Sequence, residues 1–308
     1  MLQQTQVATV VGYFNAFTLA FPTIVSLADA SQDQVLSIWA GLGYYARARN
    51  LHKSAKLMCE RHNAQVPNDK DALLALPGIG LSTAGAILSL AFNQTHAILD
   101  GNVKRVLSRY HQVQGHYGQS QTINKLWQLA KRHTPENRND DYTQAIMDLG
   151  ATVCVRSEPK CDQCPIQSDC LANQNNAQKI YPQSKPKKHK PTKSLVMLIF
   201  QNKAGDVHLK KRPNKGVWSG LWSFIECKPD PQSIKKTIRE YTSKKYNIRR
   251  MDLIKHSFTH YHLNIQPIIV STPQATIKNN MDFFAIDSND LGVPSPVAKI
   301  IARLQAER

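Results

Sequence analysis

The sequence predicts a multi-domain chain, an all-α first half followed by an α+β second half, and three observations carry that reading. From residue 5 to about 150 the apolar positions recur mostly at helical spacing. The stretch Lys179 to Lys193 then holds six lysines, three prolines and no acidic residue, so it cannot build a core. Beyond it come short runs rich in Leu, Ile and Val, such as Leu195 to Phe200 and Ile265 to Val270, which read as strands. At 308 residues the chain exceeds one ordinary compact domain, and either half is long enough to bury a core.

Along the chain, Val7, Val10, Val11, Phe14 and Phe17 define one face of a first helix. Ala30-Ser31 and Asn68-Asp69 each stand before a helical run, and Pro77-Gly78-Ile79-Gly80 separates two helices. Four of the six cysteines crowd between Cys154 and Cys170, followed by the lysine-rich stretch, which reads as an extended linker. In the second half a helix from about Ser233 to Lys245 and another from Pro296 to Gln305 accompany the strands. The expected division is 1–153 helical, 154–172 cysteine loop, 173–194 basic linker and 195–308 α+β, with no internal repeat.

Lys and Arg outnumber Asp and Glu by 39 to 22, a formal charge of +17 that favours a polyanionic partner, nucleic acid or an acidic membrane. No apolar run reaches the roughly 18 to 20 residues needed to span a bilayer, and the start lacks the basic region of a signal peptide. The expectation is a soluble cytoplasmic protein with no membrane association. A cysteine cluster beside two solitary cysteines, Cys59 and Cys227, is a metal-site distribution rather than a disulfide framework and fits a reducing compartment.

Three motifs carry chemistry. Cys154-x6-Cys161-x2-Cys164-x5-Cys170 brings four thiolates together on short loops, suited to one zinc ion or one iron–sulfur cluster, and spacing alone does not separate the two. In Leu76-Pro77-Gly78-Ile79-Gly80 the glycines let bare backbone N–H groups approach a phosphate at the mouth of the next helix, although such hairpins also serve as plain connections. Asp100, in Ile98-Leu99-Asp100-Gly101-Asn102-Val103-Lys104-Arg105, places a carboxylate just before a glycine turn and a basic helix start, where a structural N-cap would also sit.

In this order, LPGIG, LDGNVKR and the four cysteines resemble the helix–hairpin–helix DNA glycosylases. The cysteine spacing resembles the [4Fe–4S] loop of the endonuclease III and adenine glycosylase superfamily. The resemblance implies a helix-hairpin-helix glycosylase domain with an iron-sulfur cluster loop, a [4Fe–4S] cofactor on Cys154, Cys161, Cys164 and Cys170, and a target nucleotide flipped out of the duplex. It implies that Asp100 stabilises positive charge on the sugar as the base departs and that Asn102 orients groups near the attacking water. Leu76, Gly78, Gly80, Ser82 and Lys104 then fall at the DNA. Where bifunctional relatives carry a lysine that forms a Schiff base, this chain has Ser82, which forms no imine, so strand cleavage is expected to be weak or absent.

Met1-Leu2-Gln3-Gln4-Thr5-Gln6-Val7 and Gly41-Leu42-Gly43-Tyr44-Tyr45-Ala46-Arg47-Ala48-Arg49-Asn50-Leu51 resemble the adenine DNA glycosylase (MutY-type) family. That likeness implies that Gln3, Gln4 and Tyr44 push into the base stack around an oxidised guanine, and that Arg47 and Arg49 serve phosphates or helix packing. Leu209 to Pro213 and Gly216 to Phe224 resemble a Nudix-like domain. Arg239-Glu240 stands there without the glutamate cluster that holds Mg²⁺, so no nucleotide hydrolysis is expected. His256 to His262 resembles the family's loop that reads 8-oxoguanine, with Phe258, Thr259 and His260 as the reading residues.

The implied activity is removal of adenine mispaired with 8-oxoguanine or guanine in double-stranded DNA, by a monomer, leaving an abasic site. The family places a general-acid glutamate two residues upstream of the methionine equivalent to Met1. A start assigned at an internal methionine is the expectation, with little adenine excision by the chain as written and some mismatch binding. The rivals are a non-catalytic mismatch-binding protein and an endonuclease III-like lyase.

Overall fold

The structure, a computed structural model, describes residues 1–3, 5–185, 189–202, 204–242, 246–271, 283–288 and 291–307. Gln4 and the expected helix end at Lys245 lie outside the described residues. The helices of the first half are α1 (Val7–Ala20), α2 (Ile24–Asp29), α3 (Gln32–Trp39), α4 (Ala46–Arg61), α5 (Lys70–Leu74), α6 (Leu81–Phe92), α7 (Gly101–Tyr110), α8 (Ser120–His133) and α9 (Asn139–Asp148). A π turn (Leu149–Val153), a 3-10 turn (Cys161–Gln163) and α10 (Leu171–Gln174) follow. The punctuation read from sequence acts through caps. Ser31 and Gln34 form a capping box at α3, and Asp69 accepts from the Ala72 N–H at 2.8 Å to start α5.

The chain forms two compact units, Met1–Lys56 together with His189–Arg308, and Leu57–Lys188, whose boundary falls inside α4. The first 56 residues, helical as expected, therefore pack with the C-terminal segment. Arg49 donates to the Ser219 carbonyl at 2.8 Å, and Lys211 pairs with Asp33 at 2.7 Å.

On α1 the expected apolar face is only partly buried. Val10 and Phe17 are in the core, the latter edge-to-face with Trp39 at 5.9 Å, whereas Val7, Val11 and Phe14 are 63%, 52% and 55% exposed. Periodicity identifies an apolar stripe, but a stripe does not specify how wide the surface against it is.

In the second unit, α7 turns Val103, Val106 and Leu107 inward against Leu126 and Ala130 of α8 and Ile146 of α9. Between α6 and α9 the buried Ser89, Asn139 and Thr143 bond one another, with Ser89 Oγ 2.9 Å from Thr143 Oγ1 and 2.9 Å from Asn139 Nδ2. The expected linker is shorter than its composition suggests. Tyr181 is buried with Ala172 and Ala177, its hydroxyl accepts from Gln114 Nε2 at 2.7 Å, and Gln183 accepts from the Gly115 N–H at 2.9 Å. Lysines mark solvent exposure, but Tyr181 supplies enough apolar area to anchor its end of the segment.

In the C-terminal segment, β1 (Thr192–Gln201) and β8 (His262–Ser271) run parallel through a ten-residue register from Thr192 opposite His262 to Gln201 opposite Ser271. Against β8 lie β6 (Asn247–Arg250) and β7 (Ile254–Ser257). Against β1 lie β2 (Val207–His208) and β5 (Ile225–Cys227), with β9 (Phe283–Phe284) beyond β2. A separate pair joins β3 (Lys210–Lys211) to β4 (Trp222–Ser223). Met197 and Ile199 face a core closed by Val297, Ile300 and Leu304 of α12 (Ser295–Ala306). Val196, Leu198 and Phe200 face another closed by Ile234 and Ile238 of α11 (Pro231–Tyr241). Covered on both faces, the central strands read as continuous apolar runs rather than alternating ones.

Buried histidines make stability pH-dependent. His52 donates to the carbonyls of Ala28 and Ala30 while its Nε2 has no partner among the described residues, and burial, with Lys56 nearby, holds its pKa below the ordinary value. Burial likewise lowers His96, His111, His133 and His256. The unfolded chain therefore binds more protons, so stability present above about pH 6.5 is lost as pH falls through that value toward the folded pKa values. Urea midpoints measured from pH 7.5 to 5.5 are expected to fall, and His52→Gln to flatten the slope. A flat wild-type profile would contradict this.

Candidate active site and cysteine loop

The hairpin forms where the glycines predict it. Leu76 N–H donates to the Leu73 carbonyl and Ile79 N–H to the Leu76 carbonyl, Gly78 takes a left-handed φ of +82°, and Gly80 opens α6 without a side-chain cap. Gly78 and Gly80 are exposed, and a Cβ on Gly80 would meet nothing within 4 Å, so the first amides of α6 are approachable. Leu76 is different. Its side chain is buried, which restricts any contact with DNA at that position to backbone.

Ser82 points inward in a structural role. Its Oγ accepts from the Leu99 N–H at 2.9 Å and so ties the hairpin helix to the residue before Asp100. Asp100 is half-buried and caps α7, its Oδ1 accepting from the Val103 N–H at 2.8 Å. The cap engages one carboxylate oxygen, the structural role that the sequence also offered for this residue. Asn102 Oδ1 accepts from Arg105 Nη2 at 2.9 Å, and Lys104 carries its ammonium 5.9 Å from the Tyr117 ring centroid.

From α7 the structure leads into the cysteine loop. Arg105 Nε donates to the Cys154 carbonyl at 2.7 Å, so the side chain that holds Asn102 also holds the first cysteine. Arg109, one turn on and only 3% exposed, donates to Val155 O at 2.7 Å and to Arg156 O, Gln178 O and Tyr181 O at 3.0 Å each, and lies 3.3 Å from Cys154 Sγ. Tight turns set the other cysteines. Cys164 N–H reaches Cys161 O, Gln167 N–H reaches Cys164 O, and Cys170 N–H reaches Gln167 O. All four cysteines line one open pocket beside Arg109. Among the described residues no three His, Cys, Asp or Glu side chains converge tightly enough for a single ion.

Sequence reasoning missed Arg105, Arg109 and Gly150. Arg105 read as part of a basic helix start, and Arg109 was assigned no role. The signal available was their spacing of four, which puts both on one side of α7. Gly150 lies in the π turn against Asn102, where a Cβ would come 2.6 Å from the Asn102 Cβ and 3.0 Å from its Cα. Because that neighbour is backbone, Gly150→Ala is expected to destabilise the protein by about 1–3 kcal/mol, read as a lower urea midpoint. An unchanged midpoint would mean the turn moves freely off α7.

In the other unit, Tyr44 is 53% exposed on a left-handed φ of +48°, and Gln3 is exposed. Arg47 donates to the Leu42 and Gly43 carbonyls and Arg49 to that of Ser219, so both take part in packing. Phe258 N–H to Tyr261 O closes the β7–β8 hairpin, leaving Thr259 and His260 exposed at its tip. The half-buried Phe258 ring packs on Trp218 at 5.2 Å, His256 at 4.6 Å and Tyr261 at 4.7 Å.

A glycine hairpin feeding a capped aspartate, with a four-thiol loop behind it, places the chain among helix–hairpin–helix base-excision proteins. Residues 1–132 match the HhH-GPD superfamily base excision DNA repair protein, and residues 195–303 match the NUDIX domain. The chain is 38% identical over 315 residues to the adenine DNA glycosylase of Buchnera aphidicola subsp. Baizongia pistaciae, covering 99% of this chain and 87% of that one. To the Homo sapiens adenine DNA glycosylase it is 32% identical over 319 residues, covering 86% of this chain and 58% of that one. This chain belongs to the adenine DNA glycosylase family. Its fold is also similar to that of a trapped endonuclease III–DNA covalent intermediate, with a TM-score of 0.50 at 22% identity, over 57% of this chain and 81% of that one. Among the described residues no helix is long and apolar enough to cross a membrane.

Proposed function

We propose that this chain hydrolyses the N-glycosidic bond of adenine mispaired with 8-oxoguanine or guanine in double-stranded DNA. The observation that carries the reading is the delivery of Asp100. Ser82 fixes Leu99, the α7 N-terminus fixes one carboxylate oxygen, and the carboxylate follows a hairpin whose exposed glycines let a phosphate approach. Gly78, Gly80, the Leu76 backbone and Lys104 grip the DNA, and the target nucleotide is flipped out. As the C1′–N bond breaks, adenine leaves with the electron pair and takes up a proton. Asp100 stabilises the oxocarbenium-like sugar, and water, oriented near Asn102, adds its oxygen to C1′ and leaves an abasic site.

Gln3, Gln4 and Tyr44 enter the base stack, and Phe258, Thr259 and His260 read the oxidised guanine. Residues 1–153 carry the chemistry, 154–172 the cluster loop, 173–194 the basic linker, and 195–308 a Nudix-like reader without the glutamate cluster for nucleotide hydrolysis. The donor set suits a [4Fe–4S] cluster, because four thiols on short turns line one pocket and a buried guanidinium adjoins Cys154. Bound there, the cluster supplies four iron–thiolate bonds that fix the loop. The protein works as a monomer in the cytoplasm, beside the chromosome.

The test measures adenine release from a duplex with A opposite 8-oxoguanine. It uses this chain and a form extended upstream of Met1 with a glutamate two positions before it. Release of adenine without strand breakage by either form supports the proposal. Binding without release by both forms overturns it in favour of a mismatch-binding protein, and a borohydride-trapped adduct overturns it in favour of a lyase.

A further inference from the structure

Arg47, on the first turn of α4, joins two segments that the sequence assigns separately to base recognition. Its Nη1 donates to the carbonyls of Met1 and Gln3, and its Nη2 to those of Leu42 at 3.3 Å and Gly43 at 3.1 Å. The guanidinium carbon lies 5.4 Å from the ring centroid of Trp39 and 5.4 Å from that of Tyr44. Trp39 is buried and donates through Nε1 to the same Gly43 carbonyl at 3.1 Å, so the clamp rests on a rigid base.

The loop it grips is strained. Gly41 and Gly43 take φ of +96° and +74°, which glycine tolerates, but Tyr44 follows at +48°, unfavourable for a bulky side chain. The intrinsic preference of Tyr44 does not hold it there. The contacts that do are the Arg47 bonds to the two preceding carbonyls, the guanidinium against its ring, and the Arg47 N–H to Tyr44 O bond of 2.9 Å. No acidic residue precedes Asp29, so nothing in this opening stretch could stand in as an ionic partner. A lysine would offer one point charge in place of a planar fork reaching four carbonyls.

We infer that Arg47 is a positioning residue that locks Gln3 and Tyr44 into one reading unit and thereby sets the preference for adenine opposite 8-oxoguanine over an undamaged A:T pair. This rests on the reading of Gln3 and Tyr44 as lesion-contacting. The test measures affinities of the full, cluster-loaded chain for both duplexes, in wild type, Tyr44→Ala, Arg47→Lys and the double variant, with melting followed in parallel. Arg47→Gln, which keeps two N–H donors, is carried alongside in case Arg47→Lys folds poorly.

Arg47→Lys is expected to lower the ratio of the two affinities about tenfold, and the double variant to lose no more than Tyr44→Ala alone. A purely structural role would weaken both duplexes equally and leave the ratio intact, which overturns the inference. An intact ratio in the Arg47 variants alongside a reduced one in Tyr44→Ala overturns it while the reading of Tyr44 stands. An intact ratio in Tyr44→Ala overturns the reading and the inference together.

Discussion

Asp100→Asn is expected to slow adenine release by roughly a hundred- to a thousand-fold, the usual effect of deleting one electrostatic group aimed at charge that develops in the transition state. The substitution is informative because Asp100 also caps α7. Asparagine is as good an N-cap as aspartate, so Val103 N–H keeps an acceptor and α7 keeps its start. Only the charge is removed. Stability should change by no more than a few tenths of a kcal/mol, whereas Asp100→Ala, which removes the cap as well, should cost about 1 kcal/mol. Single-turnover release, in whichever form of the chain acts faster, checks the first statement and urea unfolding the second. A rate within about threefold of wild type would remove Asp100 from the chemistry and leave it a cap.

Arg109→Leu is expected to cost about 3–4 kcal/mol and to lower occupancy of the proposed cluster, because one buried guanidinium satisfies carbonyls from three separate places. Val155 and Arg156 belong to the loop, Gln178 follows α10, and Tyr181 anchors the start of the linker. Leucine fills much of the volume but leaves those carbonyls without donors inside a packed region. Arg109→Lys should fall between, since an ammonium cannot reach the same set of acceptors. Iron and labile sulfide per chain, with the urea midpoint, give the readout without reference to catalysis. Full iron content and an unshifted midpoint in Arg109→Leu would show that the turns of the loop support it unaided.

Much of the site was legible in the sequence because its parts are local. The LPGIG hairpin, the aspartate before Gly101 and the four cysteines each depend on residues a few positions apart, and the structure forms the hairpin, the cap and a shared cavity. Leu76, Ser82, Arg105 and Arg109 were not legible in the same way. A leucine beside a hairpin reads the same whether its side chain faces solvent or core, and Ser82 acquires its partner 17 residues away at Leu99. Nor does the sequence of α7 disclose which of its cations turns inward to a loop some 45 residues on.

By itself the sequence determined where helices give way to strands, which residues cap α3, α5 and α7, and which four cysteines share one short loop, because periodicity, capping and short-loop closure act over one or two turns. Only the tertiary structure decided that α1 leaves Val7, Val11 and Phe14 exposed, that the lysine-rich segment is pinned by Tyr181, that Arg47 and Arg49 donate to backbone carbonyls, and that Arg105 and Arg109 join α7 to the cysteine loop. The physical reason is common to all four. Burial and hydrogen-bond partnership depend on which surface arrives from elsewhere in the chain, and a side chain's own sequence neighbours do not encode it.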